Sequence, residues 1–468
     1  MADGRLSLCA IAFARRSLPW LAAALAAGCA SNSPPEPEEL REELVNSPVP
    51  AEFVAPALAG PVQGNWLATF SDESLNSLVQ EALAYNADLR AAAARVARAA
   101  AYVEAAGGTL WPTVDAIGRA GGEMGGDSSG LEGGIIAASW ELDVWGRVRY
   151  QRRSVEDQYA SAEADFTYAR ESLVAMVAKS WFLATETLIQ RQHLTEMVDA
   201  ATRLLALAED RQRIGIGNEL DVASARISLQ TYRDGLRQVE LAREQALRAL
   251  ELLVGRYPSA QIVVPEAFAN LGAAVPVGLP SELLERRPDM IAAESRVAAA
   301  FNMVQEAEAA RLPRFALTGS VSSISSDLFV LTERDNPVWS IGGSVFAPLF
   351  RGGQLRAQVE VRNAEQEEAI AGYVQTALTA FGDVENALSS EFALEARETI
   401  LNSAVIDAAR AVELAETRYR VGSGDLRGVE QQQLTYHSTR MNLLRVQSER
   451  RVQRVNLHLA LGGGFGTT

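Results

Sequence analysis

From Arg147 to Ile214 the chain contains neither glycine nor proline, a run of 68 residues. Nothing in it breaks a helix, so it predicts one continuous α-helix of roughly 100 Å at 1.5 Å per residue. No compact globular domain needs a helix that long. The chain must be built on elongated helices, and its other segments have to serve them.

The run ends at a Gly-x-Gly turn, Gly215 to Gly217, and a second helical pattern continues from Asn218 to Val254. The same passage recurs. Residues 207–222 read LAEDRQRIGIGNELDV and residues 414–429 read LAETRYRVGSGDLRGV, ungapped at an offset of 207 with eight of sixteen positions identical. Such a match implies an internal duplication. In the second copy Gln354 to Val421 predicts the long helix, interrupted only by Gly372 and Gly382; Gly422 to Gly424 turn it, and Asp425 to Leu461 return. A shorter helical pattern and two strand-like runs precede each long helix. The helices are expected over Asp72 to Ala106 and Ser281 to Arg311, and the strand pairs within 112–145 and 313–347. The repeats are then 71–260 and 281–468, joined by a Pro-rich linker, 261–280.

Each long helix is matched in length by the two shorter ones together, so each half reads as a rod. A strand hairpin lies at one end and the Gly-x-Gly turn at the other. Four strands cannot close a barrel, and an open edge is not tolerated in lipid. Three copies would supply 12 strands, an even number within the range of outer-membrane barrels. Trp140, Trp145, Trp339, Phe346 and Phe350 flank the second strands and suit an interfacial aromatic belt. The predicted fold class is mainly α with β: duplicated helical hairpins forming a trimeric α-helical tunnel, with four strands per chain entering a 12-stranded transmembrane β-barrel. Ordinary small-sheet strands on a soluble bundle are the competing reading.

The N-terminus reads as a targeting segment. Arg5, Arg15 and Arg16 precede a short apolar stretch, Ser17 to Ala27, too short to span as a helix, so 1–28 is a secretory signal. Leu25-Ala26-Ala27-Gly28-Cys29 resembles a bacterial lipobox, with the leucine one residue early, and makes Cys29 the expected lipid attachment site. Residues 29–70 follow as a tether, flexible over 30–38. Elsewhere no stretch approaches the roughly 20 continuous apolar residues of a membrane helix. The formal charge is −16, which argues against a nucleic-acid partner. Cys9 and Cys29 are the only cysteines; His193, His437 and His458 are far apart in sequence. No metal site is expected, and no cofactor beyond the covalent lipid. Carboxylate pairs such as Glu367-Glu368 read as solvated faces or an acidic lining, with no catalytic context around them.

Several stretches resemble the TolC-type outer membrane factors, and among them the NodT-type efflux lipoproteins. The most specific is Pro280-Ser281-Glu282-Leu283-Leu284-Glu285-Arg286-Arg287-Pro288-Asp289-Met290. Trp140-Glu141-Leu142-Asp143-Val144-Trp145-Gly146-Arg147, Ala347-Pro348-Leu349-Phe350-Arg351-Gly352-Gly353 and Arg418-Tyr419-Arg420-Val421-Gly422 complete the set. The resemblance implies a homotrimeric duct through outer membrane and periplasm. It implies a periplasmic adaptor, an inner-membrane RND-type transporter and outer membrane lipid as partners, and no chemistry in the duct. It places Gly215, Gly217, Gly422 and Gly424 at the adaptor-facing tip, where tight reversal is the simpler account of glycine. Asp221 matches an aperture-lining aspartate, and as an acid in the first turn of a helix it also suits the helix dipole. Tyr419 matches a tyrosine that holds the aperture closed, or packs. Gly428 stands where the second copy would carry the acid, with Asp425 and Arg427 nearby, so charge pairs are expected among Asp221, Asp425, Arg213, Arg420 and Arg427. The expected function is passive export of small molecules; a protein-secretion exit duct and a periplasmic coiled-coil scaffold are the alternatives.

Overall fold

The computed structural model describes residues 32–44, 49–58, 60–62, 64–119, 132–272, 274–325 and 338–464. The signal segment, Cys29 and most of the loop EMGGDSSGLEG lie outside the described residues. In chain order the helices and strands are α1 (Pro37–Glu42), α2 (Glu73–Tyr85), α3 (Ala87–Gly108), β1 (Thr113–Arg119), β2 (Glu132–Leu142), α4 (Arg147–Arg213), α5 (Glu219–Leu253), α6 (Pro280–Arg286), α7 (Pro288–Ala309), β3 (Arg314–Ser325), β4 (Val338–Phe346), α8 (Gln354–Arg420) and α9 (Leu426–Ala460). The two long helices are each 67 residues and the two return helices each 35. Gly372 and Gly382 leave α8 unbroken.

The helix expected before each strand pair is two helices. Asn86 is extended (φ −62°, ψ 127°). Its Oδ1 accepts the Leu89 N–H at 2.9 Å, and its Nδ2 donates to the Leu253 carbonyl at 2.9 Å. A side chain serving a new N-cap and a carbonyl on α5 ends α2 and starts α3. In the second copy Arg287 precedes Pro288, whose ring excludes the helical conformation from the residue before it, and Arg287 takes ψ 127°.

The described residues divide into two compact units that cut across the duplication: one holds those of 32–44, 94–164 and 291–375, the other those of 49–93, 165–290 and 376–464. The first holds a single antiparallel sheet in the order β1-β2-β3-β4, so the two hairpins join through β2 and β3. Residues 32–44 of the tether are docked here. Asn32 N–H bonds the Tyr150 hydroxyl and its amide bonds Gln305, each at 3.0 Å, while Leu40 and Leu44 are buried. Two leucines in the acidic segment give it an apolar face to bury, which its Ser-Pro-Glu content concealed.

In the second unit Trp66, Phe70, Leu75, Val79, Trp181, Phe182, Leu247, Leu250 and Val455 form the largest core cluster. Asp72 caps α2 through the Leu75 N–H and also accepts the Trp181 indole N–H at 2.8 Å. An 18-residue window of α4 is apolar enough by composition to cross a membrane, with mean hydropathy 1.3, but 67% of it is buried inside the protein. Its apolar content goes to this packing.

Candidate functional site

The two Gly-x-Gly turns end α4 and α8 with the same geometry, and both lie in the second unit. At the first, Ile216 N–H reaches the Arg211 carbonyl at 3.0 Å and Gly215 N–H reaches that of Gln212 at 3.0 Å. This is the Schellman pattern, with Gly215 left-handed at φ +80°. The second glycine has another reason. A Cβ on Gly217 would stand 2.8 Å from the Gln212 nitrogen, so the backbone leaves no room for one. Ser423, Gly422 (φ +79°) and Gly424 repeat the arrangement on Arg418 and Tyr419. Asn218 then caps α5 by accepting the Asp221 N–H, and Asp425 caps α9 by accepting the Gly428 N–H, both at 2.8 Å. Asn218 and Asp425 are equivalent at the repeat offset, so the Asp425 carboxylate performs a local duty.

Between the turns lies a packed cluster: Leu204, Ala208, Val222, Ala225, Tyr419, Leu426 and Val429. Tyr419 is 1% exposed, and its hydroxyl has no hydrogen-bond partner. Arg211 covers its ring at 4.7 Å and donates to its carbonyl at 3.1 Å, tying the end of α4 to the end of α8. Burial pushes the Tyr419 phenol up, and the Asp221 charge adds to it. Burial likewise raises Glu430, with Asp221 acting the same way, while Ser228 donates to that carboxylate at 2.9 Å. Arg213 pairs with Asp210. Among the described residues of one chain, no ion pair joins Asp221, Asp425, Arg213, Arg420 and Arg427 to one another; Arg420 and Arg427 are exposed. Ile214, Ile216, Leu220 and Val421 are also exposed beside the turns. Arg211 recurs in the repeat as Arg418, but its partner could not be read from the sequence, because it lies 208 residues away.

The histidines far apart in sequence come partly together. His193 Nε2 and His437 Nδ1 lie 3.2 Å apart, flanked by Tyr232 and Tyr436. Burial pushes His193 down to about 4 and lowers His437 as well. No group of three or more metal-ligating side chains occurs among the described residues.

The Arg-Arg-Pro-Asp motif folds into an ion cluster centred on a buried arginine, with Asp289 partly and Asp383 about half exposed. Arg287 grips Asp289 with two bonds of 3.0 and 2.7 Å, reaches Asp383 at 3.3 Å and donates to the Ala460 carbonyl at 3.1 Å. One side chain thus joins the α6–α7 break, α8 and the end of α9. Nearby, burial and the Asp289 charge push Glu171 up to about 7, and one of its oxygens has no partner.

In the first unit the strand register sorts the sheet into two faces. Residues paired directly share a face. One carries Val114, Ala116, Ile136, Ala138, Trp140, Leu142, Phe315, Leu317, Val321, Trp339, Ile341 and Val345; the other is mixed, carrying Thr113, Asp115, Ser139, Glu141, Arg314, Thr318, Ser320, Ser322, Ser340 and Ser344 together with Ala137, Ala316 and Phe346 and a cross-strand row of Ile117, Ile135 and Val338. The apolar face is exposed, with Trp339 at 75% and Ile341 at 95%. A sheet with one continuously apolar, exposed face and strands of 7 to 12 residues fits a bilayer-spanning barrel wall. The expected belt divides: Trp140 and Trp339 lie on the apolar face, Phe346 on the polar one, and Trp145 and Phe350 in the connections to the long helices. Trp145 donates to the Pro313 carbonyl at 2.7 Å. Asp143 starts α4 by accepting the Val148 and Arg149 N–H groups at 3.1 and 2.9 Å.

Long paired helices running into an amphipathic four-stranded sheet define an outer membrane channel. The chain belongs to the outer membrane efflux protein family, whose sequence profile matches residues 78–256 and 279–463. It is 33% identical over 416 residues to the pyoverdine export outer membrane protein OpmQ of Pseudomonas aeruginosa, covering 86% of this chain and 87% of that one. It is 29% identical over 433 residues to the cation efflux system protein CusC of Escherichia coli, covering 89% and 93%. Among solved structures, the outer-membrane channel OprN superposes with a TM-score of 0.81 at 27% identity, covering 90% of this chain and 97% of that one. The open-state MtrE channel of Neisseria gonorrhoeae superposes at 0.77 and 27%, covering 93% and 97%. The protein is an efflux channel of the outer membrane.

Proposed function

We propose that the chain works as a homotrimer, a passive duct that carries small molecules from an inner-membrane RND-type transporter and a periplasmic adaptor to the outside. The observation that carries this is the sheet: among the described residues β1 and β4 each have no strand paired on their outer edge, and one face is apolar along its length while the other carries most of the polar side chains. An open edge is untenable in lipid, and a third copy closes the ring at 12 strands, three times four. The duct performs no chemistry of its own; energy comes from the transporter. Cys29 carries the lipid that holds the chain to the membrane. The names of the relatives point to different cargoes, pyoverdine for one and cations for another, which fits a duct whose cargo is set by its transporter.

The tip is the gate. Tyr419 and Arg211 lock the two turns together, and Asp221, Arg420, Asp425 and Arg427 stand exposed or half-exposed, available to neighbouring copies. Exposed pairs contribute at most about 1 kcal/mol each, and a threefold set is enough to bias a closed state. Full-length protein in planar bilayers should form discrete channels, and D221A/R420A should raise their conductance. Absence of channels alongside a monomer in detergent would sink the duct; unchanged conductance in the double variant would sink the gate.

A further inference from the structure

Where β3 begins and β4 ends, two guanidinium groups share one aromatic ring. Arg314 faces Phe346 across the ladder, and its Cζ lies 5.7 Å from the ring centroid. Arg351 brings its Cζ to 5.6 Å from the same centroid. Both distances are within reach of cation–π attraction. Directly after Arg351, Gly352 (φ +56°) and Gly353 (φ +86°) turn the chain into α8, a reversal that residues with a Cβ rarely adopt.

The site is open and its charge is uncompensated. Phe346 is 49% exposed. Neither guanidinium has an ion pair among the described residues. Asp143, which follows the Leu142–Phe315 pair and so comes opposite Arg314 in register, is held by the Val148 and Arg149 N–H groups and the Arg149 guanidinium, and the next carboxylate on that face is Glu141, one strand over opposite Ala316. Glu141 is already held at both oxygens by Arg147, at 3.1 and 3.0 Å, and Arg147 also reaches Glu306 at 3.3 Å. Two like charges beside one ring repel, and a shared anion would relieve that repulsion while the exposed ring offers a stacking surface.

We propose that Arg314, Phe346 and Arg351 form a binding clamp for aromatic organic anions, with carboxylate or sulfonate groups taken by the guanidiniums and the planar body laid on the ring. Its location rests on the duct reading: lipid takes the apolar face of the sheet, so the clamp faces the lumen, and three copies make a ring of six guanidiniums. In a chain of net charge −16, such a ring gives anionic cargo an attractive step where the helices give way to the sheet.

The test is calorimetric titration of detergent-solubilised full-length protein with 1,5-naphthalenedisulfonate, with the oligomeric state measured in the same detergent. Wild type should bind saturably, and binding should weaken as NaCl rises. R314Q/R351Q should bind at least about tenfold more weakly, and F346L, which keeps bulk without the ring, should also bind more weakly. R237Q, which removes an arginine paired with Glu240 on α5 at 2.7 Å, should bind as wild type does. Salt-insensitive wild-type binding, or R314Q/R351Q binding like wild type, overturns the clamp. A monomer that still binds the probe overturns the duct reading and leaves the clamp standing.

Discussion

Tyr419 is held by its ring, while its hydroxyl is buried without a partner. The two halves of the side chain therefore predict opposite results. Y419F removes a desolvated hydroxyl and should be neutral or slightly stabilising at the tip. Y419A removes a packed aromatic and should cost about 3–5 kcal/mol locally, read as lost hydrogen-exchange protection over 204–225 and 415–429. Arg211 should follow Y419A more weakly, because it supplies a cation–π contact and one bond to a carbonyl. Glu171 carries a pH dependence. Its folded pKa is raised from 4.5 to about 7, so the folded chain holds a proton that the unfolded chain has released between those values. The associated stability is full below pH 4.5 and lost as pH rises through 7. E171Q should therefore melt above wild type at pH 8 and converge with it at pH 4, followed by helical circular dichroism. None of this was legible in the sequence, because Glu171 meets Asp289 and Arg211 meets Tyr419 only through the fold. Tyr419 itself was legible through the family resemblance, which offered an aperture tyrosine or a packing one, and it packs in the cluster between the turns.

The elements were more accessible. A long run without glycine or proline leaves a chain little choice, and α4 ends at Arg213, one residue before that run does. The Gly-x-Gly turns were equally plain, though the two glycines answer to different constraints. G215A meets open space at φ +80° and should cost about 1–2 kcal/mol. G217A drives a Cβ to 2.8 Å from backbone and should cost more. If protection of the 204–225 segment falls equally in both, the distinction is wrong. The breaks at Asn86 and Arg287 were harder to read. Asparagine inside an Ala-rich helix resembles a tolerated guest until its amide finds the carbonyl of Leu253, 167 residues away. Pro288 was visible, and what makes its break rigid is the Arg287 cluster beside it.

At the scale of the molecule, alternation in the strands decides which face meets lipid, and this was weak in the sequence because glycine, alanine and serine dilute it. Register restored it. The consequence is testable with neighbouring residues of β4. I341R places a charge on the apolar face and should cost about 2–4 kcal/mol near the midplane. S340R, on the polar face opposite Ser320, should be tolerated. Recovery of assembled protein from outer membranes reads both, and equal recovery would reverse the assignment of faces. The paired helix lengths carry a different lesson. α4 and α8 have 67 residues each, and α5 and α9 have 35 each. One residue inserted in a single helix would turn everything beyond it by about 100° and advance it 1.5 Å, parting Arg211 from Tyr419. A lineage that lengthens or shortens these helices has to make its changes in matched sets, in both copies and on both outward and return helices. Insertions and deletions among relatives should therefore occur in correlated groups in the helical walls and freely in the loops between strands.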